Sequence, residues 1–130
     1  VMEYGSDRDI IFMEGQGSLL HPGSTATLPL LRGTQPTHLI LVHRAGQTHI
    51  RNHPHVPIPP LKDVVQLYEM IAKAAGAFPA VPVAAIALNT FHLDLATARQ
   101  AIQQTQVETN LPCTDVVRFG AENILDAIFQ

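Results

Sequence analysis

A carboxylate stands where an apolar run turns abruptly into a glycine-rich loop. Ile10–Met13 is apolar and is followed by Glu14, two glycines, a serine and a histidine. The run predicts a fully buried strand, and in an open α/β sheet ligands bind beyond the carboxyl ends of the strands. Glu14 is therefore a candidate general base, if burial raises its pKa, or a candidate Mg²⁺ ligand. An ion-pair or helix-capping carboxylate is the structural alternative.

The loop after Glu14 supplies small and polar groups for a ligand. Gly15 and Gly17 let backbone approach a bound molecule, and Ser18 and His21 add a hydroxyl and an imidazole. An ordinary glycine turn would have the same composition. Similar polar strand ends recur later in the chain, and this repetition favours a binding site.

A second polar group follows the apolar run 38–43. His43 ends that predicted strand, and Thr48, His49 and Arg51 lie in a long loop whose prolines favour an ordered, functional segment. His43 and His49 are candidates for polar contacts or proton transfer, and Arg51 for pairing with a substrate carboxylate or phosphate. Solvated loop side chains are the alternative. Zinc is less well supported, because this histidine-rich loop carries no Cys and much proline.

A third polar strand end is Asn89, which follows the apolar run Val81–Leu88. Because parallel strands place their carboxyl ends on one edge of a sheet, the three strand ends should form one cleft. We expect this cleft to gather Glu14, His43 and Asn89, with Arg118 as a further candidate.

Helical patterns separate the apolar runs. Apolar residues recur at helical spacing from Leu61 to Ala75, and Asp94 can cap a helix that runs to about Thr109. The other predicted elements are a short helix ending near residue 33, a strand over 115–119 and a last helix after residue 120. Strands that alternate with helices predict βαβ units. The expected fold class is therefore α/β, a parallel sheet with helices on both faces.

Composition excludes several classes of protein. The 130 residues are 46% apolar and 15% charged, which fits one α/β unit over 1–130. A net charge of -3 with only 8 Lys and Arg gives no electrostatic basis for binding nucleic acid. No apolar run is long enough to span a membrane. The single Cys113 fits a reducing cytoplasm and a structural role for this thiol.

The first residues predict that the chain is a piece of a larger protein. Val1–Gly5 has the pattern of a last helical turn closed by glycine, and an apolar run follows closely. We expect the missing part, or another chain in a homo-oligomer, to cover the open sheet edge. The sequence contains no Gly-x-x-x-x-Gly-Lys-Ser/Thr, and Gly15-Gln-Gly17 lacks the third glycine of a dinucleotide motif.

Four segments together resemble the D-glutamate N-acetyltransferase-like family, long catalogued as a domain of unknown function. They are Glu14-Gly-Gln-Gly-Ser-Leu-Leu-His-Pro22, His43-Arg-Ala-Gly-Gln-Thr-His-Ile-Arg51, Leu88-Asn-Thr90 and Thr114-Asp-Val-Val-Arg-Phe-Gly120. The resemblance implies two domains in the full-length protein: a Rossmann-type N-terminal domain and, after it, a P-loop NTPase-type domain similar to dethiobiotin synthetase. The resemblance covers the whole chain and implies that it is the latter half of the C-terminal domain.

The resemblance implies acetyl transfer from acetyl-CoA to the amine of a small-molecule substrate, a D-amino acid. Glu14 matches the acidic residue that ends the Walker-B-like strand, which implies a metal or substrate contact. The phosphate-binding loop with its lysine would precede Val1. Arg44-Ala45 departs from the acidic residue and proline expected between His43 and Gly46.

Three kinds of function are consistent with these residues. Acyl transfer needs a base, a carboxylate clamp and oxyanion donors. The candidate base is Glu14 or His49, the candidate carboxylate clamp is Arg51, and the candidate oxyanion donors are the amides of residues 15–18. An ATP- and Mg-dependent ligase or phosphotransferase is the second possibility, and a non-catalytic module that binds nucleotide or CoA is the third.

Overall fold

Strands and helices alternate along most of the chain. The structure is a computed structural model that describes residues 5–130. Val1–Tyr4, where the sequence predicts the end of a helix, lie outside the described residues. The helices are α1 (Thr27–Gly33), α2 (Leu61–Lys73), α3 (Leu95–Thr109), α4 (Val116–Phe119) and α5 (Glu122–Phe129), and the strands are β1 (Leu39–Arg44), β2 (His49–Ile50), β3 (His53–Pro57), β4 (Val83–Asn89) and β5 (Cys113–Thr114).

Three of these strands form a parallel sheet in the order β1-β4-β5. In the central strand β4, the neighbouring residues Ala85 and Ile86 have no exposed surface. Because successive side chains of a strand point to opposite faces, both faces of the sheet are covered at β4. Ile86 packs with Cys113 and apolar residues of α3, and α5 also contacts β4. The predicted α/β class, a parallel sheet with helices on both faces, is confirmed.

The two longest helices begin where the sequence predicts. In α2, Leu61, Val64 and Val65 are buried on one face. At the start of α3, the Asp94 carboxylate accepts a hydrogen bond from the Thr97 N–H at 3.0 Å and caps the helix. Within residues 5–130, none of the helices has both the length and the apolar character that crossing a membrane requires.

The predicted buried strand at Ile10–Met13 is wrong. These residues form no strand and are exposed, Phe12 by 72%. Among the described residues β1 pairs with β4 alone. In this described part of the chain, Ile10–Met13 therefore has no neighbouring strand that could form hydrogen bonds with its backbone N–H and C=O groups. Apolar character predicted burial, but burial in a sheet also needs a partner strand.

The predicted strand over 115–119 is also wrong. Cys113–Thr114 forms the short strand β5, and the next residues form the single helical turn α4. The Asp115 carboxylate accepts hydrogen bonds from the N–H groups of Val117 and Arg118. This helix cap outweighs the strand preference of two adjacent valines.

The segment between β1 and α2 is ordered, as its prolines predict, and it contains a two-stranded antiparallel sheet that the sequence analysis missed. Ile50 of β2 lies opposite His53 of β3. Asn52 adopts a left-handed conformation with φ of 64° in the turn between them. Ile50 is buried, so the hairpin is fixed to the body of the domain.

Candidate functional site

The carboxyl ends of β1 and β4 lie side by side. In the parallel register His43 is opposite Leu88, and Arg44 is opposite Asn89. The Ala45 N–H donates to the Asn89 carbonyl at 3.0 Å. The sheet edge therefore brings two of the three predicted strand-end residues, His43 and Asn89, close together.

A cavity of about 390 Å³ lies beside this edge. His43, Gln47 and Thr48 line it from the end of β1 and the following loop, and Gln104 and Glu108 line it from α3. Its volume is typical of a small-ligand site. Two of the predicted binding residues, His43 and Thr48, thus share one cavity.

His43 is the titratable group at the centre of this region. Burial lowers the pKa of its imidazole from the ordinary value of 6.5, and the nearby Glu108 carboxylate opposes this effect more weakly. The imidazole is therefore mostly neutral near pH 7. A neutral imidazole has one unprotonated nitrogen, which can accept a proton from a bound ligand.

Glu108 is held in place by the start of α2. Its Oε1 accepts a hydrogen bond from the Leu61 N–H at 2.6 Å. Pro60, the residue that precedes the helix, provides no side-chain cap, so Glu108 satisfies one of the free N–H groups of the first turn. The carboxylate thus lies at the positive end of the α2 dipole.

A second cavity, of about 170 Å³, adjoins the first. It is lined by Gly17 and Ser18 of the glycine-rich loop and by Arg44. His43 and Gln47 line both cavities. Gly17, Ser18 and His43 therefore line one cavity, and the binding roles predicted for them stay predictions.

Hydrogen bonds and close packing hold the glycine-rich loop in this position. The Leu19 N–H donates to the Tyr68 hydroxyl of α2 at 3.1 Å. Gly17 has a positive φ of 99°, and a Cβ at this position would overlap the Ser24 hydroxyl. Glycine is required here by both backbone conformation and space.

Glu14 lies apart from these two cavities. Its side chain is exposed, and within the described part of the chain it lines neither cavity. Gly15 packs against α1, where a Cβ would overlap the Leu30 side chain. The catalytic or Mg²⁺-binding role of Glu14 therefore stays a prediction.

The remaining predicted residues lie on or against the β2–β3 hairpin. His49 is exposed, and its Nδ1 is 3.0 Å from the Thr48 hydroxyl, with which it forms a hydrogen bond. Arg51 is exposed in the turn and, among residues 5–130, contributes to neither cavity. His21 packs edge-on against His53, with ring centroids 4.6 Å apart. The binding roles of His21, His49 and Arg51 stay predictions.

Metal binding finds limited support in the described residues. Within 5–130, no group of three His, Cys, Asp or Glu side chains could hold a metal ion. Mg²⁺ at Glu14 would need water and substrate oxygens to complete its coordination.

Arg118, a further candidate for the cleft, has a structural role at its edge. Its Nη2 donates to the carbonyls of Phe91 and Leu93, at 3.1 and 2.7 Å. The buried Asp115 carboxylate accepts a hydrogen bond from the Thr90 N–H at 2.9 Å. Together these contacts fix the loop between β4 and α3.

The sequence analysis missed Glu108, although a signal for it exists. The buried or half-buried residues Ala98, Ala101 and Thr105 of α3 recur at helical spacing. Continuing this stripe by one step reaches Glu108. A carboxylate that continues an apolar stripe departs from the pattern, and this departure could have marked Glu108 as a site residue, although its side chain is exposed.

The fold and the cleft define a class of protein. It is an α/β protein whose parallel sheet carries a ligand-sized cleft at the carboxyl ends of its strands. The chain belongs to the DUF1611 family. The family profile, described as "Domain of unknown function (DUF1611_C) P-loop domain", matches residues 1–125.

Comparison with individual proteins agrees with this assignment. The chain is similar to a DUF1611 family protein from Anabaena variabilis ATCC 29413, whose crystal structure it matches with a TM-score of 0.97. The two sequences are 67% identical, and the match covers 99% of this chain and 38% of the other. It is 33% identical over 118 residues to a D-glutamate N-acetyltransferase of a Pseudoalteromonas species, and 33% identical over 117 residues to one of Tritonibacter scottomollicae. These matches cover 90% and 89% of this chain and 34% of each relative, so the chain spans about a third of the length of the curated relatives.

Proposed function

We propose that this chain is part of an N-acetyltransferase that transfers the acetyl group of acetyl-CoA to the amine of a D-amino acid of the D-glutamate class. The observation that carries the proposal is the similarity of nearly the whole chain to two proteins named D-glutamate N-acetyltransferase. The neutral imidazole in the cleft supports it, because this chemistry needs a proton acceptor.

The reaction has simple requirements. An amino acid arrives with a protonated amine, which must lose a proton before its lone pair can attack the thioester carbon. The C–N bond then forms, the C–S bond breaks and CoA leaves as a thiol. His43 is the base candidate that lies in the cavity, and Glu14 and His49 are the other candidates.

The remaining roles follow from position and charge. Amides of residues 15–18 are candidate donors for the thioester oxyanion. Arg51 is a candidate clamp for a substrate carboxylate. Mg²⁺, if it takes part, would be bound through Glu14.

A second candidate function is an ATP- and Mg-dependent ligase or phosphotransferase. The description of the family as a P-loop domain favours it. The phosphate-binding motif itself does not occur in these 130 residues, so the acetyltransferase is the better-supported proposal.

Activity of the full-length protein separates these two functions. We expect D-glutamate to cause release of CoA from acetyl-CoA, measured with a thiol reagent, and mass spectrometry to detect N-acetyl-D-glutamate. Phosphate release from ATP with no CoA release would overturn the acetyltransferase proposal in favour of the ligase. Binding of CoA or ATP without turnover would instead indicate a non-catalytic module.

The predicted role of Glu14 has its own test in the same assay. Glu14→Gln should lower the turnover number by about 100-fold if this residue is the base. Asp126→Asn, which neutralises an exposed carboxylate on α5, is the control and should leave turnover unchanged. Unchanged turnover in Glu14→Gln would remove Glu14 from the mechanism.

A further inference from the structure

The two adjoining cavities differ in charge. Among the residues that line the larger cavity, Glu108, whose side chain is exposed, is the only Asp, Glu, Lys or Arg. Among those that line the smaller cavity, Arg44 is the only one. His43 belongs to both linings, so it stands between an acidic and a basic compartment.

We propose that the two cavities bind opposite ends of one zwitterionic amino acid, with its ammonium group beside Glu108 and His43 and a carboxylate beside Arg44. The identification of this ligand as the acceptor substrate rests on the proposed function. The orientation of the ligand follows from the opposite charges of the two compartments. The Glu108 carboxylate attracts the ammonium group of the ligand and repels its carboxylate.

Glu108 is suited to this role because its carboxylate is already oriented. One oxygen accepts the Leu61 N–H, and among the described residues the carboxylate makes no other hydrogen bond. The second oxygen can therefore accept a hydrogen bond from a ligand ammonium group without losing the contact to α2. Preorganisation of this kind lowers the cost of binding.

His43 then stands where the ammonium proton must leave. In the proposed step, the neutral imidazole takes one proton from the ammonium group, and the freed lone pair attacks the thioester carbon. As the amide forms, the nitrogen loses its second proton, which CoA takes up as it leaves as a thiol. The proton on His43 returns to solvent, so atoms and charge balance.

The first test compares two ligands on the full-length protein. D-Glutamate and glutarate have the same two carboxylates and differ only in the amino group. Glu108→Gln keeps an oxygen acceptor for the Leu61 N–H but removes the charge. We expect it to weaken D-glutamate binding by about tenfold or more while leaving glutarate and acetyl-CoA binding unchanged.

Glu69→Gln is the matched control for the structural role of Glu108. The Glu69 carboxylate also accepts one backbone N–H, from Val83 at 2.8 Å, but within the described residues it lines neither cavity. It should leave D-glutamate binding unchanged. Arg44→Gln should weaken D-glutamate and glutarate alike, because both lose a carboxylate contact.

The second test uses NMR titration of His43, which needs no enzymatic activity. Loss of the Glu108 charge should lower the pKa of His43 further in Glu108→Gln, and Glu69→Gln should not change it. Equal loss of D-glutamate and glutarate binding in Glu108→Gln, or an unchanged His43 pKa, would overturn the proposal. Ligand binding with the expected selectivity but no acetyl transfer would refute only the proposed function.

Discussion

The Asp115 carboxylate holds Thr90 through two hydrogen bonds. It accepts the Thr90 N–H at 2.9 Å and also the Thr90 hydroxyl. Both residues are buried, by 95% or more of their surface. Since Thr90 directly follows β4 and Asp115 directly follows β5, this contact connects the carboxyl ends of two neighbouring strands.

Removal of this carboxylate should destabilise the protein. Asp115→Ala leaves the buried N–H and hydroxyl of Thr90 without an acceptor, and we expect the free energy of unfolding to fall by about 3 kcal/mol. Urea denaturation of the full-length protein measures this change. Asp94→Ala, which removes an exposed helix cap, should cost only about 1 kcal/mol. Similar losses in the two variants would contradict the burial argument.

The same carboxylate should make stability depend on pH in the acid range. Burial alone would raise the pKa of Asp115, but hydrogen bonds from Thr90, Arg118 and Val117 outweigh it and lower the pKa. The unfolded chain therefore takes up the proton first as pH falls. The stability that Asp115 confers should be complete at pH 6–8, begin to fall near about pH 4 and decrease further in stronger acid.

Comparison with Asp115→Asn isolates this effect. The difference in unfolding free energy between the wild-type protein and this variant should stay constant at neutral pH and shrink as pH falls through the acid range. A difference that grows on acidification would show that the pKa of Asp115 is raised rather than lowered.

Cys113 should be unreactive while the protein is folded. Burial raises the pKa of its thiol to about 11, and the side chain lies in the core beside Ile86. At pH 8 the thiolate that reacts with electrophiles is therefore scarce and shielded. A coloured thiol reagent should modify Cys113 only after denaturant is added, and rapid modification of the folded protein would contradict this assignment.

Gly17 should tolerate no side chain. Gly17→Ala would strain a backbone with φ of 99° and push the new Cβ into Ser24, which should cost about 2 kcal/mol. Gly33→Ala at the end of α1 is the control, because a Cβ there meets nothing within 4 Å. It should be neutral or slightly stabilising. Thermal melts of the two full-length variants provide the measurement, and equal melting temperatures would refute the steric argument.

Part of the cleft was predictable from local patterns. Apolar runs that end in His43 and Asn89 mark strand ends, and a parallel sheet must place such ends on one edge. The partnership of His43 with Glu108 was not predictable in this way. It depends on how α3 and the start of α2 pack together, and these segments are far apart in the sequence.

What the sequence determined by itself is the α/β class, the two long helices and the strands β1 and β4, because helix caps and apolar periodicity act over a few neighbouring residues. The helical turn over residues 116–119 follows from the local Asp115 cap, which the strand prediction did not take into account. The tertiary structure alone decided that Ile10–Met13 stays exposed. It also decided which charges meet in the cleft. Strand pairing and cavity formation depend on partners distant in the chain, and a local pattern carries no information about whether such a partner is present.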